Sequence, residues 1–130
     1  MFRKEFIRLI KLGVLTEANE YRWGAPSFSQ PTSKTNRVKS LIDFRKLNRQ
    51  LKYKPCPMPK ICKILLKLKG FKYATPLSFN MGYYNIRIDK EASNVCTIIL
   101  PWGKHSYKFL PMGICNSPYI FQVKMNKMIC

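Results

Sequence analysis

Proline and glycine set the grain of this sequence. Nine prolines and six glycines punctuate 130 residues, so apolar stretches are cut before they grow long. Even the uncharged run from Phe109 to Val123 is broken by Pro111, Gly113, Asn116 and Pro118. That falls short of the ~20 consecutive apolar residues of a membrane-spanning helix, and no membrane partner is expected. Hydrophobic residues still make up 46% of the chain and aromatics 13%, enough apolar surface to offset the entropy of ordering. A disordered polybasic tail is therefore excluded. A chain of this length buries roughly two-thirds of its unfolded surface, which supports one modest core and a single domain.

Charge comes next, because it is so uneven. Lysine and arginine number 24 against 6 aspartates and glutamates, a formal charge of +18. From Lys34 to Lys72 there are 13 basic residues against the single Asp43, a local net of +12. Such a field favours a polyanion: nucleic acid first, then an anionic membrane surface or an acidic protein, and Coulomb attraction alone does not choose. It also far exceeds what solubility requires. Arg3, Lys4, Glu5, Arg8 and Lys11 deny the N-terminus the uncharged core of a secretory signal, although a basic amphipathic start also suits a mitochondrial presequence. Cys56, Cys62, Cys96, Cys115 and Cys130 are odd in number and contain no Cys-x-x-Cys pair, and His105 is the only histidine. Neither a disulfide framework nor a zinc site is supported, and no metal ligand set is assigned. Reduced cysteines packed as small hydrophobes point to an intracellular setting, cytoplasmic or nuclear.

Hydrophobic periodicity then sketches the elements. Residues 2 to 12 place Phe2, Phe6, Leu9 and Ile10 on one helical face, with Gly13 as a left-handed stop. Tyr21 to Thr35 reads as loop and edge strand around Ser27-Phe28-Ser29, and Arg37 to Phe44 as a strand, together a basic hairpin. Pro55, Pro57 and Pro59 lead into a helix whose stripe is Ile61, Leu65 and Leu68, stopped by Gly70, with lysines opposite. Tyr73 to Phe79 reads as a buried strand ended by Asn80-Met81-Gly82. Cys96 to Leu100 and His105 to Leu110 flank a Pro101-Trp102-Gly103-Lys104 hairpin turn. Asn116-Ser117-Pro118 opens a last helix with Phe121, Met125 and Met128 on one stripe. Helices and antiparallel hairpins without a βαβ rhythm give the class α+β, and no internal repeat is present.

Specific strings sharpen this. Leu41-Ile-Asp-Phe-Arg-Lys-Leu-Asn48, Met81-Gly-Tyr-Tyr-Asn-Ile-Arg-Ile-Asp89, Leu100-Pro-Trp-Gly-Lys104 and Leu110-Pro-Met-Gly-Ile-Cys-Asn-Ser-Pro-Tyr-Ile-Phe-Gln122 occur in an order and spacing that resembles the reverse transcriptase of gypsy-type LTR retrotransposons and retroviruses. Leu9 to Leu15 and Trp23 to Phe28 fit the opening of the same domain, so the resemblance covers essentially the whole chain. It implies a right-hand polymerase fold, with fingers over roughly 1–72 and part of the palm over 73–130. It also implies RNA-directed DNA synthesis as the ancestral reaction, with template-primer and dNTP as partners.

That chemistry uses two divalent cations, Mg2+ or Mn2+, held by carboxylates. At the position of the family's first metal aspartate this chain has Ser78, whose neutral hydroxyl cannot offset two hard cations. The family's other metal aspartates lie in a Tyr-x-Asp-Asp string that these 130 residues do not reach, nor do they include thumb, connection or RNase H sequence. The resemblance therefore implies a truncated, catalytically dead domain that retains no metal cofactor. A basic nucleic-acid-binding module without chemistry, or one segment of a larger Pol polyprotein, are the alternatives. Residue by residue, it assigns nucleotide contacts to Lys34, Lys39, Met81, Gly82, Tyr83, Met112 and Gly113, with Tyr83 as the sugar gate. Template contacts fall to Arg45, Asn48, Asn116 and Ser117. Read without the family, Tyr83 is equally a core aromatic, Lys39 a solvated strand lysine and Gly113 a turn glycine. Asp89 and Glu91 read as decoration of a surface turn, and Asp43 as a partner that orients Arg45 or Lys39.

Overall fold

A five-stranded mixed sheet is the frame on which the rest is hung. The computed structural model describes residues 2–31 and 38–129, so the Lys34 assignment lies outside the described residues. The elements in chain order are α1 (Phe2–Lys11), β1 (Leu15–Glu17), β2 (Gly24–Pro31), β3 (Val38–Ile42), α2 (Arg45–Gln50), α3 (Ile61–Lys67), a 3-10 turn (Gly82–Asn85), α4 (Lys90–Val95), β4 (Thr97–Leu100), β5 (Gly103–Tyr107) and α5 (Ser117–Ile129). The strands run in the order β1-β5-β4-β2-β3. Every pairing is antiparallel except β2 with β4, where Gly24–Pro26 lies parallel to Thr97–Ile99. The second half of β2 then pairs with β3, Ser27 opposite Ile42 and Gln30 opposite Lys39.

The N-terminal helix forms as its periodicity predicts. Phe6 and Leu9 are buried, and Gly13 at φ +73° ends the helix with Val14 N–H donating to Leu9 O at 3.0 Å and Gly13 N–H to Ile10 O at 3.0 Å. That pair of bonds is a Schellman stop, which needs a residue free to adopt the left-handed conformation. Phe6 meets Trp102 edge-on at 6.1 Å, and the Arg3 guanidinium lies 5.5 Å from the same indole. The helix is thereby pinned to the tip of the β4–β5 hairpin. The core continues through Val14, Leu15, Ala25, Phe44, Ile98, Leu100, Tyr107 and Ile114. On the other face of the sheet the buried cross-strand pair Thr97 and Ser106 satisfy each other, their hydroxyls 2.6 Å apart.

Two expectations need correction. Tyr73 to Phe79 is not a strand: it is irregular and exposed throughout, with Tyr73 at 90% and Leu77 at 78%. A strand needs a neighbour for its amides and carbonyls, none of the described strands pairs with it, and Pro76 lacks an N–H to offer. Helix α3 does form and Gly70 follows it at φ +104°, but its Ile61, Leu65 and Leu68 stripe is exposed rather than packed. Two short helices were also not anticipated, α2 starting within the string 41–48 and α4 after Asp89. Asp89 caps α4, its Oδ1 accepting from Ala92 N–H at 2.7 Å, which explains this carboxylate without a metal. No helix of the described residues is long and apolar enough to cross a membrane.

Burial sorts the thiols. Cys96 is buried, which pushes its pKa up to about 11, whereas Cys62 is exposed on α3. In native protein at pH 8, iodoacetamide is expected to label Cys62 quickly and Cys96 only after denaturant is added, as read by peptide mass spectrometry. Equal labelling of the two in the native state would contradict the packing of β4.

Candidate functional site

Two clefts share one turn as their common wall. The segment Leu110–Gly113 crosses from β5 to α5, and Gly113 takes φ +94°, a conformation few other residues adopt without strain. Three side chains hold the turn. Ser117, wholly buried, donates its hydroxyl to Pro111 O at 2.7 Å. Asn48 on α2 donates Nδ2 to Gly113 O at 2.8 Å and accepts the Cys115 N–H at 2.9 Å. Asn116 turns the other way, accepting Lys54 N–H at 2.9 Å and donating to Lys52 O at 3.0 Å. The amides of Asn48 and Asn116 and the hydroxyl of Ser117 are thus occupied by the protein itself. They fix the wall to the segment 48–54 rather than projecting from it.

On one side of the wall lies a cleft of about 430 Å3, lined by Leu77, Ser78, Phe79, Met81, Gly82, Tyr83, Met112 and Phe121. Five of the assigned residues, Ser78, Met81, Gly82, Tyr83 and Met112, are brought together here. Met81 is the one described non-glycine residue with a positive φ, 51°, and its carbonyl is held by Tyr84 N–H at 2.8 Å and Asn85 Nδ2 at 3.4 Å. Gly82 is small for a reason in the packing: a Cβ there would come within 2.8 Å of Phe121 Cε2. Phe121 in turn meets Tyr83 at 5.1 Å and 60°, and Phe79 at 6.4 Å and 83°. Phe121 and Phe79 are therefore part of this site, which the sequence reading did not assign. No local signal announced them, since Gly82 reads as part of a turn and Phe121 as one residue of a helix stripe.

On the other side a cleft of about 320 Å3 is lined by Phe28, Leu41, Ile42, Asp43, Phe44, Arg45, Asn48 and Gly113. Arg45 and Asn48 from the template set meet Gly113 from the nucleotide set. Arg45 is mostly exposed and gripped by Asp43, Nε to Oδ1 at 2.8 Å and Nη2 to Oδ2 at 2.6 Å. Asp43 also accepts the Arg45 N–H at 3.0 Å, so it orients this guanidinium as the sequence suggests. Lys39 lies on β3 opposite Gln30. A third cleft, about 510 Å3 between β1, β5 and α4, contains none of the assigned residues.

Hydrogen bonds from Arg45 pull the Asp43 carboxyl from 3.8 down to about 2. Because the folded pKa lies below the unfolded one, the pair favours the fold above about pH 4 and that contribution fades as pH falls towards 2. Carboxyl NMR titration should put the Asp43 midpoint near 2, and Arg45→Met should raise it part of the way back, because the backbone N–H of residue 45 still donates to Asp43. A midpoint unchanged by Arg45→Met would remove the guanidinium as its cause.

The first cleft does not fit a divalent metal pair. Its lining offers the Ser78 and Tyr83 hydroxyls as polar side-chain groups and no carboxylate. Asp43 is committed to Arg45 in the neighbouring cleft and Asp89 to the α4 cap. Among the described residues no group of three or more His, Cys, Asp and Glu is placed to hold a metal.

The chain is similar in sequence to transposon and viral polyproteins and in fold to a viral protease-reverse transcriptase. No protein-family model matches the chain. It is 28% identical over 125 residues to a retrovirus-related Pol polyprotein from transposon 297 of Drosophila melanogaster, a match covering 93% of this chain and 12% of that protein. It is 26% identical over 130 residues to an enzymatic polyprotein of Cestrum yellow leaf curling virus, 97% of this chain and 20% of the other. In three dimensions it superposes on the crystal structure of prototype foamy virus protease-reverse transcriptase with a TM-score of 0.77 at 22% identity, covering 95% of this chain and 16% of that one. A foamy viral protease-reverse transcriptase in complex with an RNA/DNA hybrid gives 0.75 at 18% identity, covering 98% of this chain and 17% of that one. Its relatives are retrovirus-type Pol polyproteins. The chain spans at most about a fifth of the length of these relatives, and its α+β fold is that of the foamy virus protein over the shared part.

Proposed function

We propose that this Pol-type segment is a reverse transcriptase core that holds template-primer and does not itself polymerise. Residues 1–72 would act as fingers and 73–130 as part of the palm, with RNA-directed DNA synthesis as the ancestral reaction. The observation that carries the reading is the paired clefts about the Leu110–Gly113 turn, one with Ser78, Met81, Gly82, Tyr83 and Met112 and no carboxylate, the other with Arg45. Ser78 is the residue whose chemistry decides inactivity, since a neutral hydroxyl supplies neither the charge nor the ligand strength that a hard cation needs. The exposed lysines of 52–72 supply phosphate contacts, which require charge alone. Arg45, oriented by Asp43, presents the free edge of a planar fork to a phosphate or base edge in the second cleft. That the foamy viral relative in fold is solved with an RNA/DNA hybrid supports the same partner here.

The test keeps binding and chemistry in one tube. A fluorescent primer annealed to an RNA template is titrated with the chain in the presence of dNTPs, reading anisotropy and then extension on a gel. Micromolar binding with no added nucleotides is expected. Template-dependent extension abolished by EDTA would overturn the inactive reading, and absence of binding at low salt would overturn the nucleic-acid reading.

A further inference from the structure

We propose that residues 57–76 form a face that docks on an anionic lipid bilayer, seated by the aliphatic side chains of α3 and held by the lysines around them. The face lies outside both clefts about the Leu110–Gly113 turn, and its lipid chemistry does not depend on the nucleic-acid reading.

Every residue from 57 to 76 is exposed, although the stretch is rich in aliphatic and aromatic side chains. Ile61 is 76% exposed, Leu65 61% and Phe71 71%. At about 100° per residue, Ile61, Ile64, Leu65 and Leu68 fall within roughly a third of the helix circumference, and Lys63 and Lys67 lie on the other side. Such a stripe ordinarily faces a core. The core of this chain is built from α1, α2 and the sheet, and no residue of 57–76 belongs to it. A contiguous exposed apolar surface rimmed by polar groups marks a contact with a protein or a membrane.

Charge selects the occupant. Seven lysines lie between Lys52 and Lys72, and from Phe44 to Ile88 there is no carboxylate. A second copy would set +18 against +18 with the same lysines facing their own image. A nucleic acid answers the lysines but gives Ile61 and Leu65 nothing to be buried in, since bases stack on aromatic rings. The partner has to bring negative charge and apolar depth together. An anionic bilayer does so, with headgroups at the level of the lysines and acyl chains beneath them.

Shape separates this partner from an acidic amphipathic segment of another protein. Proteins take such segments into grooves, whereas α3 buries none of its residues on any side and stands as a ridge. A ridge is what enters a lipid interface. The short apolar runs that exclude a spanning helix are no obstacle, because an interfacial helix reaches only roughly 5–10 Å inward. Lysine stems bridge from that depth to the headgroups, and Phe71 and Tyr73, exposed just past Gly70, are of the types found at this boundary.

The test is flotation of the 130-residue chain with vesicles of phosphatidylcholine alone and of phosphatidylcholine with phosphatidylserine. Binding about tenfold or more stronger to the phosphatidylserine vesicles is expected. Ile61→Ser with Leu65→Ser removes two exposed apolar side chains and no charge. It should weaken vesicle binding about tenfold or more and change affinity for a single-stranded oligonucleotide by less than about twofold. Phe71→Ser with Tyr73→Ser, outside the helix, should act in the same direction and keeps the result readable if the first variant unravels α3. Equal binding to the two vesicle types, vesicle binding unchanged in both serine variants, or equal losses for vesicles and oligonucleotide would overturn the proposal. So would a dimer in sedimentation that Ile61→Ser with Leu65→Ser dissolves, which gives the face to a second copy. Binding of a soluble helical peptide of Leu and Glu with none to the vesicles would give it to a protein instead. Vesicle binding that requires phosphatidylserine, with no oligonucleotide binding at low salt, would support the lipid face and overturn the nucleic-acid reading.

Discussion

Primer extension by this chain is expected to be undetectable with Mg2+ or Mn2+, and Ser78→Asp alone is expected to leave it so. Nucleotidyl transfer has to activate a primer hydroxyl and stabilise the charge that gathers on the phosphates in the transition state. The cleft that holds Ser78, Tyr83 and Met112 provides hydroxyls, thioethers and rings for that task. Losing the electrostatic stabilisation that metals supply, about 5 kcal/mol at a modest estimate, already lowers the rate by three to four orders of magnitude. A lone aspartate at 78 would face the same neutral neighbours, and one carboxylate does not hold two cations against water. Positioning is the second deficit, because in-line attack needs the reacting atoms held within ~3 to 3.5 Å. Nothing among the described residues near Ser78 forms a clamp on a primer end. The measurement is gel-resolved incorporation of labelled dNTP on an RNA template by the unmodified chain and by Ser78→Asp. Incorporation by either one, lost on adding EDTA, would show that the cleft supports catalysis after all.

What the sequence tells about this fold depends on where each element finds its partner. The β4–β5 hairpin is legible because its signals are local: an alternating run, then Pro101-Trp102-Gly103, with Leu100 pairing directly with Gly103. Helix α1 is legible for the same reason, its apolar face and its glycine stop lying within one stretch. The parallel pairing of β2 with β4 joins residues more than seventy positions apart, and no local pattern announces it. Tyr73 to Phe79 fails the other way. Its apolar composition fits a buried strand, but burial and ladder bonds come from neighbours, and the described residues provide none. The site divides similarly. The resemblance names Met112 together with Ser78 and Tyr83, and the three do line one cleft, yet it could not reveal that Asn48, Asn116 and Ser117 spend their polar atoms on the protein, because those partners are Gly113 and Cys115, the segment 52–54 and Pro111.

Raising salt from 50 to 200 mM should weaken binding to single-stranded nucleic acid by about 300-fold if roughly six phosphates are neutralised. Each neutralised phosphate releases condensed counterions, so the logarithm of affinity falls with the logarithm of salt at a slope near −0.7 per contact. The chain has the cations for this. Among the described residues the ion pairs are Glu5 with Arg8 and Asp43 with Arg45, so the lysines of α3 and its flanks meet no carboxylate. Lys63 and Lys67 are exposed on α3 with Lys60 at its N-cap, and Lys52, Lys54, Lys69 and Lys72 are exposed in its flanks. Changing Lys60, Lys63 and Lys67 to Gln should reduce the slope by about 2 if all three contact phosphates. The same variant should leave the fold intact, since these side chains are exposed and lie outside the hydrophobic core. Affinity should respond little to base sequence, because charge reads the backbone and not the base edges. Anisotropy titrations at four or five salt concentrations give the slope directly. A flat plot, or a slope unaltered in the triple variant, would mean that the 34–72 segment does not grip phosphates and that the polyanion is held by another face of the molecule.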